Sequence, residues 1–164
     1  MDNTIRYFIT NDGSTQGFTI PEIDVDLSQN AGIDLFCTNH VHFSLKDTGV
    51  FIGLAQSAYI FQLPPGVHGM VAGRSGNAFK RYTQPFYGVI DSSYRGETGV
   101  QLFTHTTEVV INGIKPGTAV AQMVLLNYTG RDISNLRFER VQSVEELSET
   151  VRQASGFGSS GNMI

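Results

Sequence analysis

Apolar and polar residues alternate with a period of two along much of the chain, which is the pattern of half-buried β-strands. The alternation is clearest over residues 20–27, where Glu22, Asp24 and Asp26 separate apolar positions. Further strands are predicted at 41–45, 58–63, 68–72, 99–104, 109–111, 119–126 and 136–141. Turn signals separate them, among them Asn112-Gly113, a dipeptide that favours a hairpin. Short strands at this spacing predict an all-β sandwich or barrel.

Helical signals are few. Residues 74–82 fit one short helix or turn, and Ser143 followed by Glu146 forms a capping box for another. Residues 156–161 are rich in Gly and Ser, so a mobile tail is expected there. The sequence contains no internal repeat and no interdomain linker, and a single domain is therefore expected.

Composition then narrows the classes of function. The 164 residues carry a net charge of -4, which argues against a general binder of nucleic acid or of anionic membranes. No stretch approaches the ~18 apolar residues of a membrane span. The N-terminus also lacks the basic and apolar regions of a signal peptide. A cytoplasmic protein is expected, in the host cytosol if a virus or phage encodes it.

The metal-ligating and nucleophilic residue types give little signal. Cys37 is the only cysteine, so no intrachain disulfide is possible, and its apolar surroundings favour a buried, inert thiol. The four histidines lack the spacing of a zinc site. The acidic residues of 20–27 are interpreted as a solvated strand face, with a metal site as the alternative.

Four segments carry candidate chemistry, and each also has a structural interpretation. Gly73–Gly76 is either a turn with an exposed Arg74 or an anion site where small residues let the backbone approach. Gly88–Glu97 is either a capped hairpin or a rigid mount for Asp91 as a general base. Asp34 in an apolar stretch is either a satisfied structural carboxylate or a ligand. The strip from Arg152 to Gly161 is either a disordered end or a cover for a phosphate-bearing ligand.

Taken in order, these segments resemble the trimeric dUTP pyrophosphatase (dUTPase) family, whose chains carry five short motifs in fixed order. The matching segments are Ala31–Leu35, Gly73–Gly76, Gly88–Glu97, Gly117–Val124 and Arg152–Gly161. The resemblance covers the chain from about Ala31 to Gly161, and the third motif is the most specific.

The resemblance implies an all-β, jelly-roll-like barrel over residues 1–150, with a flexible Gly-rich C-terminal arm at 151–164 that closes over the active site. It implies a homotrimer with three active sites shared between subunits. The reaction would be the hydrolysis of dUTP to dUMP and pyrophosphate, with Mg²⁺ bound mainly by the substrate triphosphate. Such an activity limits uracil incorporation into DNA and supplies dUMP for dTMP synthesis.

The resemblance also implies roles for individual residues. Asp91 would activate the attacking water, Tyr94 would lie under the deoxyribose, and the hairpin backbone around Gly88 would read the uracil edge. Asp34 would act near the phosphate–metal region, indirectly through water. The phosphate contacts would come from Arg74, Ser75, Gly76, Gln122, Arg152, Ser159 and Ser160. Phe157, next to Gly158 in the arm, would stack on the uracil.

The chain departs from the family pattern in several places. Phe86-Tyr87 stand where smaller residues are usual, and Ala119-Val120 replace an Arg-Ile pair. Gln153 and Ser155 replace glycines of the fifth motif, which would stiffen the arm. Ser93 stands where many members have a second Asp. Residues 1–30 match the family poorly and are interpreted as a strand that is specific to this chain.

Two alternatives stand beside dUTP hydrolysis. One is a dCTP deaminase-like enzyme on the same fold, which needs a catalytic Glu near the nucleobase. The other is a dUTP-gated regulatory or interaction protein with weak activity, whose protein partner the sequence does not identify.

Overall fold

The computed structural model describes residues 3–47 and 49–156. Within these ranges the chain forms eleven strands, two short α-helices and one 3-10 helix. The strands are β1 (Thr4–Ile9), β2 (Gly32–Phe36), β3 (Ser44–Leu45), β4 (Phe51–Gln56), β5 (Tyr59–Gln62), β6 (Val67–Ala72), β7 (Thr83–Pro85), β8 (Gly88–Ile90), β9 (Gly99–Thr104), β10 (Ala119–Asn127) and β11 (Arg137–Arg140). The helices are α1 (Ser75–Lys80), α2 (Thr107–Asn112) and the 3-10 helix Val144–Glu146.

The strands form three sheets, with the strand orders β11-β1-β5, β2-β10-β6-β8 and β3-β4-β9-β7. Among the described residues, the buried apolar side chains form one large and one small cluster. The largest fully buried side chains of the large cluster include Tyr59, Phe61, Leu35, Leu102 and Met123. The prediction of an all-β fold is confirmed.

Most of the predicted elements are present. The segments at 58–63, 68–72, 99–104, 119–126 and 136–141 correspond to β5, β6, β9, β10 and β11, whereas 41–45 yields only the two-residue β3. The short helix expected within 74–82 is α1. Ser143 and Glu146 form the predicted capping box, with both reciprocal bonds in place. β1 lies in the N-terminal part that matches the family poorly.

The strand predicted at 20–27 is wrong. Ile20 and Ile23 are buried, but the segment pairs with no neighbouring strand. Its backbone bonds to side chains instead: the Ile23 N–H donates to the Tyr7 hydroxyl (3.0 Å), and the Tyr59 hydroxyl donates to the Pro21 carbonyl (2.8 Å). The alternation therefore reflects burial against the barrel, without a ladder of its own.

The strand predicted at 109–111 is also wrong, because these residues belong to α2. The following Asn112-Gly113 ends that helix and makes no hairpin turn. Gly113 has a φ of 66° and its N–H donates to the Val109 carbonyl (2.8 Å), closing the last turn. The dipeptide Asn-Gly can end a helix as well as form a hairpin turn, because both structures need a residue with positive φ.

β6 connects the two segments with the most candidate chemistry. Its C-terminal end leads into Gly73 and Arg74, and its partner β8 leads into Asp91. The register pairs Gly69 with Ile90 and Val71 with Gly88, so the two strands run antiparallel. The two segments consequently leave this sheet at opposite ends.

Candidate active site

Asp91 begins a tight turn directly after β8. The Tyr94 N–H donates to the Asp91 carbonyl (3.0 Å), which closes a four-residue turn. The Asp91 carboxylate is part-exposed, and the Arg152 guanidinium donates from Nη1 to its Oδ2. A carboxylate on a rigid mount thus lies at the surface with a cation beside it.

Tyr94 forms a flat surface next to that ion pair. The Arg152 guanidinium lies over its ring, 5.5 Å from the centroid, and its hydroxyl donates to the Glu97 carbonyl (3.0 Å). Burial raises the pKa of Tyr94, while the charge of Arg152 acts in the opposite direction. A Cβ added at Gly156 would be 3.0 Å from the ring, so the chain crosses closely at that glycine.

Thr150 and the first residues of the C-terminal arm are docked on the same turn. The Arg95 N–H donates to the Gln153 carbonyl (2.7 Å), and the Thr150 hydroxyl donates to the Ser93 carbonyl (2.6 Å). Gln153, which replaces a family glycine, has a φ of 47° in the left-handed region. Glycine adopts this region without strain, whereas a residue with a Cβ does not.

A cavity of about 530 Å³ opens beside Tyr94, between β8 and β9. Its volume is within the usual range for small-molecule sites. Gly88 and Val89 line one side, Gly99 and Gln101 the other, and Arg152 is at its margin. We call it the hairpin cavity.

Phe86 and Tyr87 form part of the wall of the hairpin cavity. The Phe86 N–H donates to the Gln101 carbonyl (2.8 Å), and its ring contacts that of Phe103, with the centroids 5.1 Å apart. The Tyr87 side chain is largely exposed. The two residues that depart from the family pattern thus add aromatic surface at this cavity.

The other predicted phosphate and metal residues form a second cluster. Arg74 donates from Nε and Nη2 to the two carboxylate oxygens of Asp34, at 2.7 and 2.8 Å. Gln122 donates to the Gly73 carbonyl (2.7 Å). A Cβ on Gly32 would be 2.0 Å from the Gln122 amide oxygen, so this glycine makes room for that side chain.

Helix α1 holds Ser75 and Gly76 next to this second cluster. Asn77 is its buried anchor, donating from Nδ2 to the Ala119 carbonyl (2.9 Å) and the Val120 carbonyl (3.0 Å). Asn77 had no predicted role, because a single buried residue in a six-residue helix gives no periodic signal. Arg95, which is buried and bonded to the Ser148 carbonyl (3.0 Å), was likewise assigned no role.

The two clusters lie apart within one chain. Ile90 pairs with Gly69, which places Asp91 level with His68, whereas Gln122 pairs with Ala72. Four residues of strand separate these levels, a distance of about 13 Å. The chain brings Asp91, Tyr94 and Arg152 together and, separately, Asp34, Arg74 and Gln122.

The donor set suits a weakly held divalent cation more than a protein-only metal cage. Among residues 3–47 and 49–156, no group of three or more His, Cys, Asp or Glu side chains is placed to hold a metal. Mg²⁺ is commonly bound by one or two carboxylates together with substrate phosphates. Asp34 is the carboxylate of the second cluster, and each of its oxygens accepts from Arg74 while keeping capacity for water.

The remaining expectations concern residues outside the two clusters and the question of a membrane span. Phe157, Gly158, Ser159 and Ser160 lie outside the described residues. Cys37 is fully buried, and burial raises its thiol pKa, as expected for an inert thiol. In the described part of the chain, no helix is long and apolar enough to cross a membrane.

Comparison with known proteins assigns the family. The dUTPase family model matches residues 19–161. The chain is 38% identical over 131 residues to the deoxyuridine 5'-triphosphate nucleotidohydrolase of Fowl adenovirus A serotype 1, covering 80% of this chain and 66% of that protein. It is 32% identical over 160 residues to the enzyme of that name from Debaryomyces hansenii, covering 98% and 89%. The chain thus spans about two thirds of the adenovirus relative and most of the yeast one.

Solved structures show the same fold. The dUTPase of Staphylococcus bacteriophage 80alpha, solved as a mutant with dUpNHpp, superposes with a TM-score of 0.58 at 20% identity, covering 98% of this chain and 99% of that one. A mutant dUTPase of phage phi11 of S. aureus, which coordinates a structural Mg(II) ion, gives 0.58 at 15%, covering 85% and 97%. At such low identities the superpositions bear on the fold alone, and they confirm the jelly-roll-like architecture. On the family match and the identities to its members, this chain belongs to the dUTPase family.

Proposed function

We propose that this chain hydrolyses dUTP to dUMP and pyrophosphate. The observation that carries the proposal is the placement of the Asp91 carboxylate on a closed turn, beside Tyr94 and a cavity in the size range of small-molecule sites. Membership of the dUTPase family supports the same conclusion.

Asp91 orients the attacking water and accepts its proton. The water oxygen forms a bond to the α-phosphorus, the bond from that phosphorus to the bridging oxygen breaks, and pyrophosphate leaves. General-base assistance of this kind typically contributes ~10²–10⁴-fold. Arg152, now paired with Asp91, exchanges this partner for phosphate oxygens when the substrate binds.

The hairpin cavity accommodates the uracil. The backbone donors and acceptors around Gly88 pair with one pyrimidine edge, and a cytosine leaves them unpaired, at about 1–3 kcal/mol per group. The ring of Tyr94 lies under the deoxyribose and leaves no space for a 2′-hydroxyl. Phe157 of the arm stacks on the base from the open side.

Phosphate binding depends on local charge, since the chain as a whole carries -4. Arg74, Ser75, Gly76 and Gln122 contact the triphosphate on one side. On the other side the β/γ end is held by residues of the arm, namely Arg152, Ser159 and Ser160. The triphosphate would hold Mg²⁺, which would neutralise its charge, and Asp34 would contact the ion through water.

The active form is a homotrimer with three shared sites. About 13 Å of strand separates the levels of Asp91 and Gln122 within one chain, which is longer than a triphosphate. One substrate therefore contacts the Asp91 cluster of one copy and the Arg74 cluster of another. Residues 1–150 form the barrel, and residues 151–164 form the arm that closes each site.

The cytosol is the proposed location, because the single cysteine is a free, buried thiol suited to a reducing compartment.

A hydrolysis panel with dUTP, dCTP, dTTP and UTP, with and without Mg²⁺, tests the proposal. We expect pyrophosphate release from dUTP alone, dependent on Mg²⁺. The panel must include dCTP, because Glu97 lines the hairpin cavity and a deaminase needs a Glu near the base. Release of ammonia from dCTP, or tight dUTP binding with negligible turnover, would overturn dUTP hydrolysis as the main activity.

A further inference from the structure

A second, smaller cavity lies behind the Asp91 turn, where β1, the end of β5 and the 148–150 segment meet. Its volume is about 260 Å³. Its lining combines the segment 62–65 with five hydroxyl-bearing residues and one arginine: Thr4, Ser92, Ser93, Ser148, Thr150 and Arg95. We call it the junction cavity, and none of the proposed substrate contacts uses it.

Arg95 supplies a buried positive charge to this cavity. Its relative exposure is 7%, and no carboxylate within the described ranges forms an ion pair with it. Burial lowers the pKa of its guanidinium, which reflects the cost of keeping this charge away from water. A buried cation is usually paired, so the missing counter-charge is itself informative.

Backbone carbonyls accept hydrogen bonds from most, but not all, of the N–H groups of the guanidinium. Nη1 donates to the carbonyls of Ser92 (2.8 Å), Tyr94 (2.9 Å) and Phe61 (3.4 Å), and Nε donates to the Ser148 carbonyl (3.0 Å). Nη2 donates once, to the Ser148 hydroxyl (3.1 Å). Since a guanidinium has five N–H groups, one Nη2 N–H has no acceptor among the described residues.

Further donors are available in the same cavity. The hydroxyls of Ser92 and Ser93 have no hydrogen-bond partner in the described part of the chain, and the Ser148 hydroxyl accepts from Arg95 with its own proton still free to donate. Uncommitted donors beside an uncompensated positive charge select an anion with several acceptor oxygens. The volume lies just below that of typical small-molecule sites, so it suits a compact ion.

We propose that the junction cavity binds a compact phosphate-type oxyanion, held by Arg95 and by the hydroxyls of Ser92, Ser93 and Ser148. The bound ion would join the Asp91 turn to the segment that leads into the arm. Free inorganic phosphate and the pyrophosphate released by the proposed reaction share this chemistry. The proposal does not require dUTP turnover, because it depends only on the residues of this cavity.

Amide chemical shifts of the full ¹⁵N-labelled chain test it. The chain is titrated with sodium phosphate, with sodium pyrophosphate and with sodium chloride at matched ionic strength. We expect saturable shifts at residues 92–95 and 148–150 with phosphate but not with chloride, separate from any shifts at Arg74 and Ser75. A stronger response to pyrophosphate would identify the product as the ligand, and a response to phosphate alone would identify the free ion.

Two variants sharpen the test. Ser148→Ala is expected to raise the phosphate Kd at this cavity about tenfold, the effect of one charge-assisted hydrogen bond. Ser92→Ala serves the same purpose if Ser148→Ala disturbs the fold, and Ser44→Ala, at an exposed site on β3, is the matched control. Equal shifts in phosphate and chloride, or an unchanged Kd in both cavity variants, would overturn the proposal. Absence of dUTP hydrolysis would leave these shifts intact, so the two failures are distinguishable.

Discussion

Arg74 and Asp34 face each other through two parallel hydrogen bonds, Nε to Oδ1 at 2.7 Å and Nη2 to Oδ2 at 2.8 Å. Their side chains are 33% and 38% exposed, so the pair contributes at most about 1 kcal/mol to stability. Its geometry matters more, because a guanidinium held at two points presents its remaining N–H groups in a fixed direction. Asp34 therefore orients Arg74 for the phosphate contact proposed above.

Asp34→Asn is expected to raise the KM for dUTP several-fold at saturating Mg²⁺, with a smaller change in kcat and little change in the unfolding midpoint. The reason is that an amide cannot accept both guanidinium bonds, so Arg74 loses its orientation. Steady-state kinetics at several Mg²⁺ concentrations measure this. Asp24→Asn is the control, because Asp24 is an exposed carboxylate that lines a surface cavity together with Asp34. A higher Mg²⁺ requirement with an unchanged KM would show that Asp34 acts through its proposed water-mediated contact with the metal and not by orienting Arg74.

Asp91→Asn is expected to lower kcat for dUTP by about 10²–10⁴-fold, because an amide cannot take the proton from water. The substitution conserves volume, so the circular dichroism spectrum and the unfolding midpoint should stay close to those of the parent chain. Asp132→Asn, in an exposed turn where asparagine can also accept from the Ser134 N–H, is the control for a lost carboxylate. Turnover equal to that of the parent chain would remove Asp91 from the mechanism.

Local patterns predicted much of the barrel from the sequence. Period-two alternation located β9 and β10, and the Ser143 capping box located the 3-10 helix, because these signals lie within a few residues of one another. The errors arose where contacts with residues distant in the sequence determine the conformation of a segment. Residues 20–27 bond to tyrosine hydroxyls in place of a strand, and the β-branched run at 109–111 is helical.

The candidate site shows the same division. The motifs identified Asp91, Tyr94 and Arg74 as residue types in a pattern, but not their contacts. The pairing of Arg152 with Asp91 joins residues 61 positions apart. The buried charge of Arg95 depends on carbonyls from three segments of the chain. No periodicity in the sequence encodes such a convergence.

Gln153 offers a test of backbone strain at the base of the arm. Its φ of 47° costs a residue with a Cβ about 1–2 kcal/mol, a cost that glycine avoids. Gln153→Gly is therefore expected to strengthen local docking relative to Gln153→Ala, the matched control that keeps the Cβ. Hydrogen exchange of the Arg95 amide, which donates to the Gln153 carbonyl, measures this. Faster exchange in the glycine variant than in the alanine variant would show that strain is not the controlling term.

Tyr59 is expected to make the free energy of unfolding decrease at alkaline pH. Burial raises the pKa of Tyr59, while an unfolded tyrosine ionises near pH 10. Above about pH 10 the unfolded chain has released a proton that the folded chain keeps, so the free energy of unfolding falls as pH rises, by up to about 1.4 kcal/mol per pH unit for this group.

Tyr59→Phe removes this titration. We expect it to cost about 0.5–1.5 kcal/mol at pH 7, from the lost bond to the Pro21 carbonyl, and to make the decline above pH 10 shallower. Denaturant unfolding between pH 7 and 11 measures both effects. Tyr128→Phe, at an exposed tyrosine, should leave the slope unchanged. An identical slope in Tyr59→Phe would mean that other groups, such as Tyr7, dominate.

Sharing of the sites between subunits predicts complementation between two inactive variants. Asp91→Asn and Arg74→Gln each disable one cluster, and in the proposed trimer one substrate takes the two clusters from different copies. If each site takes Asp91 from one copy and Arg74 from the next, random 1:1 trimers contain intact sites at about one quarter of positions. Co-refolding the two chains should then restore about a quarter of the parent activity, measured as pyrophosphate release. Mixing folded variants without subunit exchange is the control. If both residues instead served the same site from one chain, every site would carry a substitution and no activity would return.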